Sequence, residues 1–271
     1  MSPSDTETPG PKLGAGREAD VYAIGDTAVL KLYRPGFGGH RAEAVTLRAL
    51  DGRGIAPRLL DVRELDGRAG LVEERLAGPD LLTLLQRRPW QLYGVARLLT
   101  EAQLAIHRVP APLELPDQRL VLADRIRDAA LPRHLFEFVS RVLDVLPDGD
   151  RLCHGDFHPG NVLLTAHRTT VVDWGAATRG VPEADHARTL LLLRWADPLP
   201  GTPLVSRALI SGGRSLLARA YAHAYRRGSP PLRHITPWLV AHLAARLSEG
   251  IPAERSLLIG RLEQALREAA P

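Results

Sequence analysis

Three oxygen-bearing side chains stand close together in the segments CHGDFHPGNVLL (153–164) and VVDWG (171–175). Asp156 and Asn161 lie five residues apart on a polar stretch, where a Pro-Gly pair forces a turn. Asp173 follows a short apolar run. Phosphoryl transfer requires a carboxylate that accepts the proton of the attacking hydroxyl, and oxygen ligands that hold Mg²⁺ against a triphosphate. Asp156 suits the first role, and Asn161 with Asp173 suits the second.

Taken singly, each carboxylate is more simply explained as a turn or helix-cap residue. Together, at this spacing and between apolar segments, they favour the catalytic interpretation. His154 and His158 are four residues apart, a spacing that binds zinc from one face of a helix. The surrounding glycines and proline disfavour a helix, so a zinc site is not expected. We instead assign His154 to ordering the loop by hydrogen bonds, and a substrate-facing role stays open for His158.

A lysine and a glutamate nearer the N-terminus could position phosphates. Lys31 lies midway along a β-compatible segment, and Glu43 follows twelve residues later on a predicted helix. A buried lysine needs such a partner to keep its charge and direct it at phosphate oxygens. Only two of the 35 cationic residues counted as Lys and Arg are lysines, which favours a chemical role for Lys31. The alternative is a solvated strand lysine and a glutamate on a helix surface.

Gly14 and Gly16 lie just before these residues in the segment LGAGREADVY. Without a Cβ, their backbone N–H groups could approach an anion closely. By itself the segment is more simply a β-hairpin with a loose turn, because Ala19 stands where the protein-kinase pattern has its third glycine.

The elements that must position these groups divide the chain in two. Residues 1–11 are predicted to form a flexible tail, 12–78 a β-rich N-terminal nucleotide-binding lobe with a hinge, and 79–271 a helical C-terminal lobe. The C-terminal lobe would carry the catalytic loop and the acceptor site. Strands are predicted at Asp20–Ala23, Ala28–Tyr33, Leu59–Arg63 and Leu71–Glu74, with helices at His40–Leu50, Leu204–Arg227, Thr236–Ser248 and Ala253–Ala269.

The motifs HGDFHPGN and DWG closely resemble those of the aminoglycoside phosphotransferase and choline kinase family, which is related to the protein kinases. The resemblance runs from about Leu13 to Ala187, with the glycine-rich segment as its loosest part. It implies an α+β, two-lobed, protein-kinase-like fold with a small β-rich N-lobe and a larger helical C-lobe. It also implies that ATP and Mg²⁺ bind between the lobes.

The resemblance assigns a role to each matching residue. It implies that Asp156 is the catalytic base and that Asn161 and Asp173 are metal ligands. It also implies nucleotide-binding glycines at Gly14 and Gly16, a phosphate-positioning pair of Lys31 with Glu43, and an adenine-binding hinge at the backbone of Glu74 and Leu76. Asp185 matches a family aspartate that supports the catalytic loop, the alternative being a helix N-terminal carboxylate. Glu73 departs from the family, which usually has an apolar residue beside the purine. The choice between ATP and GTP therefore stays open.

Composition excludes several other classes. With 45% hydrophobic and 24% charged residues, the 271-residue chain is ordinary globular protein. No apolar run approaches the roughly 18 residues of a membrane helix, and the N-terminus lacks the regions of a signal peptide, so we expect a cytoplasmic protein without a membrane partner. The net charge of +4 comes from dispersed arginines and only 5% of residues are aromatic, so nucleic-acid binding is not expected.

The sequence leaves the acceptor undecided. Residues 176–271 hold 13 arginines and seven acidic residues, whereas a polycationic aminoglycoside would prefer a carboxylate-lined groove. Four aromatic residues of this region could stack on an acceptor ring, although at helical spacing they more often belong to the core; they are Trp195, Tyr221, Tyr225 and Trp238.

We therefore predict a Mg²⁺-dependent phosphotransferase that moves the γ-phosphate of ATP to a hydroxyl of a small molecule, with an antibiotic among the possible acceptors. The alternatives are a housekeeping sugar or amino-alcohol kinase and a catalytically idle, nucleotide-binding pseudokinase. The oligomeric state cannot be read from the sequence.

Overall fold

The N-terminal part of the chain is an antiparallel sheet with one helix. A computed structural model describes residues 9–166, 168–195 and 204–269. The sheet has the strand order β1-β2-β3-β5-β4, and α1 (His40–Ala49) connects β3 to β4. The strands are β1 (Lys12–Ala15), β2 (Ala19–Ile24), β3 (Ala28–Tyr33), β4 (Leu59–Leu65) and β5 (Arg68–Glu74). The predicted strands and the predicted helix are confirmed, with small shifts at their ends.

Alternation along β3 determines which side chains reach the site. Side chains on successive strand residues point to opposite faces. Leu30 and Leu32 join the apolar cluster on one face, whereas Tyr33 packs with Ala44 of α1 on the other. Lys31 shares the face of Tyr33, so the strand period delivers the lysine towards α1 rather than into the apolar cluster.

The rest of the described chain is mainly helical. Two core clusters fill it, and α6 contributes side chains to both. The helices are α2 (Leu81–Arg87), α3 (Leu92–His107), α4 (Gln118–Asp128), α5 (Arg133–Asp144), α6 (Pro182–Trp195), α7 (Leu204–Gly228), α8 (Ile235–Arg246) and α9 (Pro252–Ala269). Among the described residues, none of these helices is long and apolar enough to cross a membrane.

Two short hairpin-like pairs lie between α5 and α6 and carry the loops of Asp156 and Asp173. The strands β6 (Arg151–Cys153) and β9 (Thr178–Gly180) pair with each other, and β7 (Val162–Leu164) pairs with β8 (Thr169–Val171). The outer pair encloses the inner one, so residues 154–161 and 172–177 come together as two adjacent loops.

Gly78 allows the two parts of the chain to approach each other closely. Its φ is +148°, and a Cβ there would lie 2.2 Å from the carbonyl oxygen of Leu164. Only glycine fits this position. The next residue, Pro79, accepts a hydrogen bond from the backbone N–H of Leu164 at 2.9 Å, which fixes the connection to the β7–β8 pair.

The aromatic residues considered as acceptor-stacking groups mostly belong to the core, as the alternative interpretation expected. Tyr221, Tyr225 and Trp238 are all at most 1% exposed. Trp195 instead lies near two arginines, with guanidinium-to-ring distances of 5.9 Å to Arg194 and 5.3 Å to Arg261.

Candidate active site

Lys31 forms an ion-paired centre between the sheet and the loop after β8. Its Nζ lies 2.7 Å from Glu43 Oε2 and 2.7 Å from Asp173 Oδ1, although Asp173 is 142 residues away along the chain. Burial alone would lower the pKa of Lys31, but the two carboxylates, Glu43 first, raise it well above its usual value. The lysine is therefore a fixed positive charge at neutral pH.

Glu43 holds this centre together from α1. Its side chain is 1% exposed, and besides Lys31 it accepts hydrogen bonds from the Tyr33 hydroxyl and from the backbone N–H of Trp174 at 2.9 Å. A buried carboxylate needs such a full set of partners to remain charged. The bond to Trp174 ties α1 directly to the loop that carries Asp173, so one glutamate sets the position of both the lysine and that loop.

Asp156 lies on a loop whose backbone is held at several points. The Nε2–H of His154 donates to the carbonyl of Val172 at 3.1 Å, and its Nδ1 faces the backbone N–H of Asp156 at 3.3 Å. Since a carbonyl can only accept, these bonds place the proton on Nε2. The ring also packs against Trp174, with centroids 4.5 Å apart. His154 thus has the geometry of the loop-ordering residue that the sequence predicts.

Asp185 of α6 holds the same loop through a hydrogen bond to its backbone. It is fully buried and accepts the backbone N–H of Gly155 at 2.7 Å, with Gln103 and His107 at 3.1 and 3.0 Å from its other oxygen. Burial would raise the pKa of Asp185, but the hydrogen bond and charge of His107 and the bond from Gly155 hold it well below its ordinary value. The carboxylate is therefore ionised and fully occupied by structural bonds.

Asn161 and Asp173 lie at the same open end of the β7–β8 pair. The Val172 N–H donates to the carbonyl of Asn161 at 3.0 Å, and the Asn161 amide donates to the carbonyl of Asp156 at 2.9 Å. That amide bond leaves the Asn161 side-chain oxygen available as a ligand. The half-exposed Asp173 carboxylate has a pKa that burial would raise but that Lys31 holds below its ordinary value.

Asp173 also has strained backbone, with φ at +67°. Such a conformation is uncommon for a residue other than glycine and persists only where the surroundings impose it, often at functional sites. An amide oxygen and a carboxylate oxygen are hard donors of the kind that Mg²⁺ prefers. Among the described residues, no three His, Cys, Asp or Glu side chains form a metal-binding group by themselves.

The glycine-rich segment approaches this centre through Glu18. Gly16 donates its N–H to the carbonyl of Ala19 at 2.8 Å, and a Cβ at Gly14 would meet nothing within 4 Å. Packing alone therefore does not explain Gly14. Glu18, which the sequence reasoning missed, lies beside Gly39 and Gly175. Burial and the nearby Asp173 raise the pKa of Glu18.

The predicted hinge follows directly from β5. The Glu74 backbone N–H donates to the carbonyl of Arg58 at 2.9 Å, so a contact from Glu74 to a base would use its carbonyl. Leu76 lies half-buried in the connection to α2. Glu73 is 6% exposed and its Oε1 has no hydrogen-bond partner within the described chain. Burial, with the Glu43 charge adding to it, raises the pKa of Glu73 to about 8.

Two further groups face Asp156. Arg188 of α6 places its Nη2 3.6 Å from Asp156 Oδ1, and His158 places its Nε2 3.7 Å from Asp156 Oδ2. His158 also accepts the N–H of Gly160 through Nδ1 at 3.0 Å, and burial lowers its pKa. His158 therefore faces the candidate base directly. Arg188 was not singled out from the sequence, because nothing in its local pattern distinguishes it from the other helical arginines.

The comparison with known proteins identifies the family of this chain. Residues 10–235 match the model of the phosphotransferase enzyme family. The chain belongs to that family. A hydroxyurea phosphotransferase from Kitasatospora aureofaciens is 39% identical over 154 residues, which cover 53% of this chain and 44% of that protein. The chain thus matches less than half of that relative's length.

Solved structures show the fold of this phosphotransferase-family chain. A thermostable mutant of aminoglycoside phosphotransferase APH(4)-Ia, in ternary complex with ADP and hygromycin B, has a TM-score of 0.65 at 18% identity, covering 96% of this chain and 94% of that one. A choline/ethanolamine kinase family protein from Mesorhizobium loti has a TM-score of 0.65 at 18% identity, with 97% and 89% covered. The two-lobed, protein-kinase-like α+β fold is confirmed.

Proposed function

We propose that this chain transfers the γ-phosphate of ATP to a hydroxyl group of a small molecule. The observation that carries the proposal is the contact between Lys31 and Asp173, which brings the cation of the sheet to the loop beside the candidate base. Phosphotransfer needs a fixed cation that positions the triphosphate and a nearby carboxylate that faces the hydroxyl. Lys31, held between Glu43 and Asp173, suits the first role, and Asp156 on the adjoining loop suits the second.

The lysine and the aspartate base divide the work of the transfer. Lys31 binds phosphate oxygens, since Glu43 keeps it charged and fixed in position. Asp156, whose side chain is 36% exposed, accepts the proton of the acceptor hydroxyl as its oxygen attacks the γ-phosphorus. The bond from that phosphorus to the bridging oxygen breaks, and ADP leaves. Asn161 orients the base indirectly, through its bond to the Asp156 carbonyl.

Asn161 and Asp173 are the residues that would hold Mg²⁺ in this mechanism. Their amide and carboxylate oxygens fit the ion's preference for oxygen ligands. When bound, the ion would neutralise phosphate charge as it develops. The strained backbone of Asp173 is consistent with the assignment, because such conformations are often retained at functional sites.

Replacing the candidate base tests the proposal directly. Asp156→Asn should lower kcat by about 10²–10⁴-fold, because the amide cannot accept the proton, while the Kd for ATP stays within a factor of about three. The measurement is ADP release in a coupled assay, with ATP binding followed by calorimetry. Asp148→Asn, at an exposed carboxylate on the surface, is the matched control. Equal turnover of both variants would refute the role of Asp156.

Hydroxyurea is the first acceptor to test, because the name of the 39%-identical relative refers to it. Hygromycin B, choline and ethanolamine complete the panel, and they separate an antibiotic-modifying enzyme from an amino-alcohol kinase. Adenine is the expected base, supported by the ADP in the APH(4)-Ia complex. GTP belongs in the same assay, since Glu73 replaces an apolar neighbour of the purine.

A pseudokinase is the second candidate, and the same assay distinguishes it. Such a protein would bind nucleotide without acceptor-dependent ADP release. The complete set of Lys31, Asp156, Asn161 and Asp173 favours catalysis, because a chain that only binds nucleotide has no need of a proton acceptor.

A further inference from the structure

A line of alternating charges runs from the candidate base into the helical part of the chain. Arg188 is 4% exposed and lies 2.7 Å from Glu249 Oε1 through Nη2, the same nitrogen that faces Asp156. Arg246 contacts the other oxygen of Glu249 at 2.5 Å and Glu254 at 2.7 Å. Each of these two arginines is therefore matched by carboxylates within the protein.

Arg125 of α4 stands beside this line without a partner. It is half-buried, and it makes no hydrogen bond or ion pair within the part of the chain that the structure describes. The helix α4 packs on α8 and on the turn of residues 247–249 that carries Glu249. Burial and the charge of Arg188 lower the pKa of Arg125, whereas the charges of Glu249 and Asp156 act in the opposite direction and raise it.

A half-buried guanidinium without a partner loses hydration and gains no bond in return. Such a group gains most from a ligand with oxygen atoms, because its planar array of N–H donors matches a carboxylate or a carbonyl. The neighbouring Arg188 already gives its donors to Glu249 and to the carbonyl of Gly155, the latter at 3.3 Å. Arg125 lies with Leu122 and Ile126 on the inward face of α4, and this helix packs against the turn that carries Glu249. Arg125 is thus an unpaired donor close to the line of charges that begins at Asp156.

We infer that Arg125 binds the acceptor, and that the acceptor is a small hydroxylated molecule with a carboxylate or carbonyl oxygen near its hydroxyl. The inference rests on the proposed phosphotransfer and narrows its substrate class. An ammonium group placed in the same position would face Arg125 and Arg188, so a polycation is disfavoured there. Hydroxyurea, in which a carbonyl adjoins an N-hydroxyl group, belongs to the favoured class.

Matched probes test this inference. Glycolate carries a carboxylate beside its hydroxyl, hydroxyurea carries a carbonyl, and choline and ethanolamine carry an amine or ammonium in the corresponding place. Turnover is measured as acceptor-dependent ADP release, and binding to the protein loaded with a non-hydrolysable ATP analogue is measured by calorimetry. The inference predicts that at least one of the first two probes binds or reacts better than both amino alcohols.

The variants are Arg125→Ala and, as control, Arg127→Ala, an exposed arginine of the same helix that pairs with Asp124. Arg125→Ala should raise the KM or Kd of the oxygen-bearing probe by about 10- to 100-fold, the loss of a charge-assisted hydrogen bond, and leave the KM for ATP unchanged. Arg127→Ala should change neither. Thermal unfolding of both variants shows whether the fold is kept, and Arg125→Lys, which retains the charge but not the planar donors, should recover part of the affinity.

Three outcomes would overturn the inference. One is a better response to choline or ethanolamine, the second is no response to glycolate and hydroxyurea, and the third is equal behaviour of Arg125→Ala and Arg127→Ala. Failure of the proposed function looks different, since Asp156→Asn would then leave ADP release unchanged. Loss of turnover in Asp156→Asn together with a silent Arg125→Ala would keep the function and remove only this acceptor site.

Discussion

Glu73 lies buried beneath the lysine centre and should make the stability of the protein depend on pH. It occupies β5, paired with Val29 of β3 and Leu59 of β4, and it is 6% exposed. Burial raises its pKa from an ordinary value of 4.5 to about 8, with the charge of Glu43 contributing. In the folded protein this carboxyl is therefore neutral at pH 7, whereas in the unfolded chain it is ionised.

The sign and size of the effect follow from proton linkage. Between pH 4.5 and 8 the folded state binds more protons at Glu73 than the unfolded state does, so the free energy of unfolding falls as pH rises. Glutamine has nearly the same shape and does not titrate. The stability of Glu73→Gln relative to the natural protein should thus increase by about 3 kcal/mol from pH 4.5 to pH 7, and by about 5 kcal/mol in total above pH 8.

Urea denaturation of both proteins at pH 5, 7 and 8.5 measures this difference. Glu74→Gln is the matched control, because that neighbour is more exposed and lies near Arg58 and Arg168. The control variant should be no more stable than the natural protein at any of the three pH values. A stability difference between Glu73→Gln and the natural protein that stays constant with pH, or that shrinks as pH rises, would refute the burial argument.

Two further variants test the supports of the site. Glu43→Gln leaves Lys31 with Asp173 as its carboxylate partner. We expect this variant to lower the free energy of unfolding by about 3 kcal/mol and to raise the KM for ATP more than the KM for the acceptor. Denaturation measures the first effect and steady-state kinetics the second, and unchanged values would contradict the role of Glu43. Gly155→Ala should lower stability by at least about 2 kcal/mol, because φ is +78° and the new Cβ would lie 2.3 Å from the Ala176 carbonyl oxygen. Gly260→Ala, where a Cβ meets nothing within 4 Å, should instead stabilise α9 by about 0.5–1 kcal/mol, and equal effects of the two glycine variants would argue against the steric explanation.

Local patterns in the sequence were enough to predict the main supports of the site. Alternation in β3 places Lys31 on the face of Tyr33, and the loop motif places Asp156 and Asn161 five residues apart. The contact of Lys31 with both Glu43 and Asp173 confirms that these segments meet. The roles in catalysis and metal binding remain predictions until they are measured.

Other parts of the structure around the site have little local signal in the sequence. The short strands β6 and β9 have three residues each, which is too few for a recognisable alternation. The helix α4 was not predicted, because charged residues interrupt its apolar positions; its N-cap Asp117, which accepts the backbone N–H groups of residues 119 and 120, was the available sign. Arg188 is buried against Glu249, which lies 61 residues later in the chain, so no local pattern could reveal this contact.

The helix α6 explains how such distant groups act on one loop. Asp185 accepts the N–H of Gly155 and, one turn later, Arg188 donates to the carbonyl of the same residue. A backbone residue held at both its donor and its acceptor has little freedom to rotate, and Asp156 is the residue that follows it. Because α6 is packed into both core clusters, the candidate base is positioned by the helical core. Lys31 is positioned instead by the sheet, so the bonds from Lys31 to Asp173 and from Glu43 to Trp174 help to align the two halves. The Val171 N–H bond to the Ile55 carbonyl at 2.7 Å and the packing of Leu47 and Leu50 into the first core cluster contribute to the same alignment.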